Sequence, residues 1–226
     1  MELAKPHIDA GLFTNNTAAM LDFWQHEVGL AFEEVLPMGG GVRQHRHAMN
    51  GSVLKLNSVR DPMAEQPPCG YRELLIADNR VAAPRALVDP DGNRVMLVPR
   101  GHDGVTGILV RLAVRDEEAF HRFYGEALEL ERAGERRYRC GDSLLEFGAD
   151  AAAAETGRMQ ARGYRYLTVQ VRDVDAEHAG IVARGGAEGR APITLGTTAR
   201  ISFVRDPDGN WIEISQRASL TGPLPG

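Results

Sequence analysis

The chain has 226 residues, of which 43% are hydrophobic and 25% charged, with a formal net charge of −5. That length supports one large domain or two small ones with a real core, and the acidic balance gives no basic footprint for nucleic acid. Two cysteines outside any CxxC pair, no signal-like start and no run near the roughly 18 apolar residues of a membrane helix exclude a zinc ribbon, a disulfide framework and a membrane span, so a cytoplasmic protein is expected.

HIDAGLFT (7–14) alternates as a strand. NNTAAMLDFWQHEVG (15–29) opens on cap-type Asn and Thr, stops at glycine, and spaces Met20, Phe23, Trp24 and Val28 along one helical face. Two strands should follow, the second being SVLKLN (52–57). The next stretch is short: between LLIADN (74–79) and PRALVDPDGN (84–93) there is no room for a full helix and strand. GILVRLAV (107–114) reads as a strand, DEEAFHRFYGEAL (116–128) as a helix capped by Asp116, and RRYRCGD with SLLEFG (136–148) as a hairpin. YRYLTVQV (164–171) is a strand and DVDAEHAGIVARGG (173–186) a helix capped by Asp173. ARISFVR and NWIEIS (199–215) flank a DPDG turn. Polar or Pro/Gly-rich linkers fall at 60–70, 99–107 and 149–163.

The chain repeats itself. LVDPDGNRVMLV (87–98) matches FVRDPDGNWIEIS (203–215), GYRELLIADNRVA (70–82) matches GYRYLTVQVRDVDA (163–176), DFWQHEVGL (22–30) matches RFYGEALEL (122–130), and GSVLKLN (51–57) matches DSLLEFG (142–148). The matches keep the same order in both halves, which marks a duplication with two related units per half. The expected division is 1–102 and 103–226.

Four strand-helix-strand-strand-strand units with a DPDGNxIE-type ending resemble the vicinal oxygen chelate superfamily of glyoxalases, extradiol dioxygenases and bleomycin-resistance proteins. FYGEALEL and RDPDGNWIEI carry the most specific part of the resemblance. It implies an α+β fold of tandem βαβββ modules forming two barrel-like halves, with the second module truncated, and a small-molecule ligand. It also implies a homodimer. Family metal ligands, where present, lie on the first strand and the last strand of each unit. The first-strand position falls on Asp9, on Glu73 or Arg72, on Leu109 and on Tyr166; the last-strand position falls on Lys55, Met96, Glu146 and Glu213. Taken half by half, one cavity holds Asp9, Lys55, Glu73 and Met96, and the other Leu109, Glu146, Tyr166 and Glu213.

These residues suit iron or manganese poorly, since such sites usually want imidazoles beside a carboxylate and a lysine repels a cation. Glu213 interrupts an apolar strand, and its counterpart in the internal repeat is Met96. Two inward carboxylates, Glu146 and Glu213, would push one pKa up and favour acid/base work, with Tyr166 stabilising an oxyanion. The structural alternative is an arginine partner for each glutamate, Arg111 or Arg165. Lys55, Asn57, Arg72 and Arg46 form a candidate cationic lining with Asp9 and Glu73, and Trp211 and Tyr164 a candidate aromatic wall. His45 and His47 in RQHRH share a strand face and are the candidate metal pair, with Asp9 as third ligand. A four-residue loop after that strand turns Gln44 and Arg46 inward instead. Three functions remain open: isomerase- or lyase-type chemistry on a carbonyl or aromatic compound without a metal, a dioxygenase using one divalent ion (Fe, Mn, Ni or Zn), and a ligand-sequestering protein.

Overall fold

The computed structural model describes residues 1–224. The first unit comprises β1 (Leu3–Thr14), α1 (Thr17–Asp22), which runs on as a π-helical turn over Phe23–Glu27, then β2 (Ala31–Gly39), β3 (Val42–Met49) and β4 (Ser52–Val59). The second has no helix and consists of β5 (Tyr71–Ala77), β6 (Arg85–Val88) and β7 (Arg94–Val98). The third holds β8 (Ile108–Val114), α2 (Glu117–His121) with a π-helical turn over Arg122–Ala127, β9 (Glu131–Gly134), β10 (Arg137–Cys140) and β11 (Ser143–Ala149). The fourth holds β12 (Gly163–Val171), α3 (Val174–Ala183), β13 (Ala187–Leu195), β14 (Ala199–Arg205) and β15 (Trp211–Arg217), followed by the short α4 (Ala218–Thr221). Among the described residues no helix is long and apolar enough to cross a membrane.

The local signals mostly hold. Asp116 and Asp173 cap their helices, their carboxylates accepting from the Ala119 and Ala176 amides at 3.0 Å. Both DPDGN segments fold identically: Asp206 Oδ1 accepts from the Asp208 and Asn210 amides, and Asp89 Oδ1 from those of Asp91 and Asn93. Gly209 and Gly92 take positive φ of 76° and 87° in these turns. The βαβββ resemblance implies three strands after each helix, but the residue pattern itself shows only two and misses β2, β9 and β13. All three are sheet edges and mostly exposed on both faces, so they carry no apolar alternation to read.

The units do not pair half by half. One sheet of eight strands runs β13-β14-β15-β12-β1-β4-β3-β2, joining units one and four; the other, of seven, runs β6-β7-β5-β8-β11-β10-β9, joining units two and three. Each sheet therefore draws on both halves of the sequence. In every unit the first strand lies parallel to the last, and the two first strands of a sheet meet antiparallel, β1 on β12 and β5 on β8. The architecture is α+β with two sheets and no closed barrel. Alternate residues of both sheets, such as Leu12, Leu54, Leu167, Ile212, Leu74, Val110 and Leu145, form one core with Phe23, Trp24, Phe120 and Tyr124 from the helices. The opposite faces carry the buried polar residues together with two smaller apolar clusters, one around Phe13, Tyr166 and Phe203 and one around Leu75, Leu109 and Leu144.

Candidate functional site

On the polar face of the eight-stranded sheet, strand register decides which side chains meet. Asp9 of β1 pairs with Thr168 of β12, Thr168 pairs with Glu213 of β15, and Gly11 pairs with Lys55 of β4. The first-strand position of unit four is therefore Thr168, two residues beyond Tyr166. In unit three it is Arg111, two beyond Leu109, since Glu73 of β5 pairs with Arg111. Counting from the FW and FY of the helices in units one and three, and back from Asp173 in unit four, missed this because the strand-to-helix spacing differs between units; the period of two still left Tyr166 on the correct face.

Lys55 is the centre of the site. Its Nζ donates at 2.7 Å to Glu213 Oε2 and at 2.7 Å to Thr168 Oγ1, and Thr168 Oγ1 donates at 2.6 Å to the same Glu213 oxygen. Lys55 is 3% and Glu213 9% exposed. Burial lowers the Lys55 pKa, with Glu213 and Asp9 opposing the shift. Asp9 accepts from the Val53 amide at 2.9 Å, Lys5 Nζ at 2.8 Å and Gln170 Nε2 at 3.3 Å. The Tyr166 hydroxyl accepts from Gln44 Nε2 and Asn57 Nδ2, each at 3.2 Å, and burial followed by the nearby Glu213 charge drives its pKa far up. The Tyr166 ring fills the space where a side chain at position 11 would stand: a Cβ on Gly11 would lie 2.2 Å from it. Phe13, Phe203 and half-buried Trp211 continue the wall, with ring centroids 6.1 Å (Phe13–Tyr166), 6.3 Å (Tyr166–Phe203) and 5.9 Å (Phe203–Trp211) apart.

The other sheet is different. Glu73 lies 2.6 Å from Arg111 Nη1 and 3.3 Å from Arg94, and Glu146 accepts from Arg111 Nε at 3.0 Å and from Arg137. Burial raises the Glu146 pKa, but its bonds to Arg137 and Arg111 outweigh this and the net shift is down. Leu75, Leu109 and Leu144 with Met96 pack beside these ion pairs. Glu146 and Glu213 therefore lie on different sheets, and the expected like-charge pair does not form. Arg111 is the partner of Glu146, whereas Arg165 donates to the carbonyls of Ala161, Arg162 and Pro67. Arg72 and Glu73 lie on this sheet, away from Lys55, and Arg72 is 4.0 Å from Asp150. Tyr164 packs in the core between the sheets, because a register shift in β12 turns it away from Tyr166.

The histidines face the other way. Register pairs Arg46 with Lys55 and Gln44 with Asn57, so Gln44 and Arg46 point into the site. His47 Nε2 is 3.1 Å from Gln25 on the helical side, and His45 Nε2 is 3.2 Å from Ser58 Oγ. Neither joins Asp9, and among the described residues no cluster of three His, Cys, Asp or Glu forms. The four ligand-equivalent positions do not fit a divalent ion in either sheet. One set, Asp9, Lys55, Thr168 and Glu213, contains an ammonium bonded to its carboxylate; the other, Glu73, Met96, Arg111 and Glu146, contains a guanidinium between its carboxylates. Thr168 and Gln170 were legible in YRYLTVQV, where Tyr166, Thr168 and Gln170 are the polar alternates of Leu167, Val169 and Val171.

A profile of the Glyoxalase/Bleomycin resistance protein/Dioxygenase superfamily matches residues 108–214. Residues 108–214 therefore form a domain of the vicinal oxygen chelate superfamily. Glyoxalase I from Zea mays is similar in fold at 14% identity, with a TM-score of 0.73 over 93% of this chain and 92% of that one. A variant of the same enzyme gives 0.75 at 15% identity over 95% and 93%. A putative dioxygenase from Bacillus subtilis gives 0.70 at 14% identity over 96% of this chain and 86% of its own. No curated protein matches at the sequence level. At these identities the likeness to solved structures concerns the fold, and the chemistry rests on this chain's own residues.

Proposed function

We propose that the polar face of the eight-stranded sheet is the site of an acid–base enzyme acting on a small carbonyl compound, working without a divalent ion. The observation that carries this reading is the buried Lys55–Thr168–Glu213 cluster, where an ammonium stands in a ligand-equivalent position. Glu213 Oε2 is held by Lys55 and Thr168, which leaves Oε1 to take a proton from the carbon beside a carbonyl. Both partners of the Tyr166 oxygen are donors, so its own proton is free for the enolate oxygen. The raised phenol pKa keeps that proton in place. The Lys55 ammonium adds positive charge beside the same developing anion. Return of the proton to carbon gives an isomerase; loss of a β-substituent from the enolate gives a lyase.

The test is deuterium uptake from D2O at carbons next to carbonyls, followed by proton NMR over a panel of ketones and 2-oxo acids. Wild type should exchange one member of the panel, and Glu213→Gln should lose a factor of about 100 or more. Undiminished exchange in Glu213→Gln removes Glu213 as the base. Tight ligand binding with no exchange by wild type replaces the enzyme with a ligand-sequestering protein.

A further inference from the structure

The charges around this site pair one to one, with one cation left over. Lys5 pairs with Asp9 at 2.8 Å, Lys55 with Glu213 at 2.7 Å and Arg46 with Glu34 at 3.2 Å. Arg217, at the end of β15, lies on the Glu213 face, because Gln216 between Ser215 and Arg217 turns to the helical side and accepts from the Val174 amide. Its charged neighbours are Arg46, Glu34, Glu213 and Asp9. Among the described residues Arg217 forms no ion pair, although it is only partly exposed. Burial and then Arg46 lower its pKa, as expected for a guanidinium lacking its counter-charge.

Two buried atoms nearby are also unsatisfied. Arg46 is 6% exposed, and its Nε makes no aligned hydrogen bond despite Glu34 at 3.2 Å. Gln170 is 1% exposed and its Oε1 has no partner. Native proteins rarely leave such groups unpaired unless something else occupies them. Glu34, on edge strand β2, is 47% exposed at its side chain, so its bond to Arg46 is worth little and is easily surrendered.

We infer that the site takes a monoanionic carboxylate, gripped by Arg46 and Arg217 beside the Lys55–Glu213 pair. A guanidinium fork matches a carboxylate geometrically, and Arg46 spends Nη1 on Gln44 Oε1 while its Nε makes no aligned hydrogen bond. A single excess positive charge is matched by one carboxylate, whereas a phosphate dianion overcompensates it. Resting on the acid–base reading, this narrows the substrate class to carbonyl compounds that also bear a carboxylate, with Gln170 Oε1 free to accept from a hydroxyl or hydrated carbonyl.

Calorimetric titration of the full chain with pyruvate, methyl pyruvate and inorganic phosphate at low ionic strength tests it. Pyruvate should bind at least tenfold more tightly than its neutral ester and more tightly than phosphate. Arg217→Gln should weaken pyruvate by tenfold or more and leave the ester unchanged; Arg46→Met should do the same. Arg46 is buried, so if Arg46→Met fails to fold, the partly exposed Arg217 position still decides. Equal binding of pyruvate and ester, tighter binding of phosphate, or an Arg217→Gln variant with wild-type pyruvate affinity overturns the inference. Calorimetry reads binding and deuterium uptake reads chemistry. Anion binding without exchange sinks only the catalytic proposal, and exchange confined to neutral ketones sinks only this one.

Discussion

Replacing Lys55 and Glu213 singly and together separates what this ion pair does for stability from what it does for chemistry. At 2.7 Å the gross attraction is about 6 kcal/mol at an effective dielectric of about 20, against a desolvation cost of several kcal/mol for each ion. The net contribution is therefore near zero, but each partner depends on the other. Lys55→Met leaves Glu213, 9% exposed, with Thr168 as its one remaining partner among those described, and should cost roughly 3–5 kcal/mol. Glu213→Leu strands the ammonium and should cost a similar amount. The double variant Lys55→Met/Glu213→Leu should return to within about 1–2 kcal/mol of wild type, giving a coupling of several kcal/mol. Urea unfolding at pH 7, followed by tryptophan fluorescence, measures all four proteins. Single losses below about 1 kcal/mol with no coupling mean that the pair is solvated and that burial does not tie the two partners together. A stable double variant that no longer exchanges deuterium assigns the pair to function, because an apolar pair serves the fold as well.

Two further outcomes check the contrast between the sheets and the role of the histidines. Arg111→Met should destabilise the protein by about 2 kcal/mol in the same unfolding assay while leaving deuterium uptake unchanged. The figure lies below the usual cost of breaking a buried pair because Arg94 and Arg137 still reach Glu73 and Glu146; lost exchange would move the site to the other sheet. His47 is fully buried, and burial followed by the charge of His45 lowers its pKa from 6.5 to about 4. The unfolded chain takes up this proton near pH 6.5 and the folded ring resists it to about 4, so stability falls on acidification between those values. The gap is worth roughly 3 kcal/mol at most. His47→Asn should lose less stability than wild type between pH 7 and 4.5; identical losses show that the ring titrates freely.

What the sequence determined by itself was local. Caps at Asp116 and Asp173, the DPDGN turns, the missing helix of unit two and the face of each inner strand all follow from neighbours within a few residues. Asp9, Lys55, Tyr166 and Glu213 were legible because a polar residue recurring in an apolar strand has to be placed somewhere. The tertiary structure decided which units meet. Four related first strands offer several antiparallel pairings of similar local quality, and only the long-range packing of β1 on β12 and β5 on β8 selects one. That choice sets Glu73 against Arg111 and brings Lys55 to Glu213, 158 positions apart in sequence. Within the first unit the β3–β4 register turns the histidine pair toward the helices, and Arg217 is left unpaired among the described residues. A one-residue register decides a face, and a pairing between distant strands decides a site, so the chemistry became readable only once both were fixed in space.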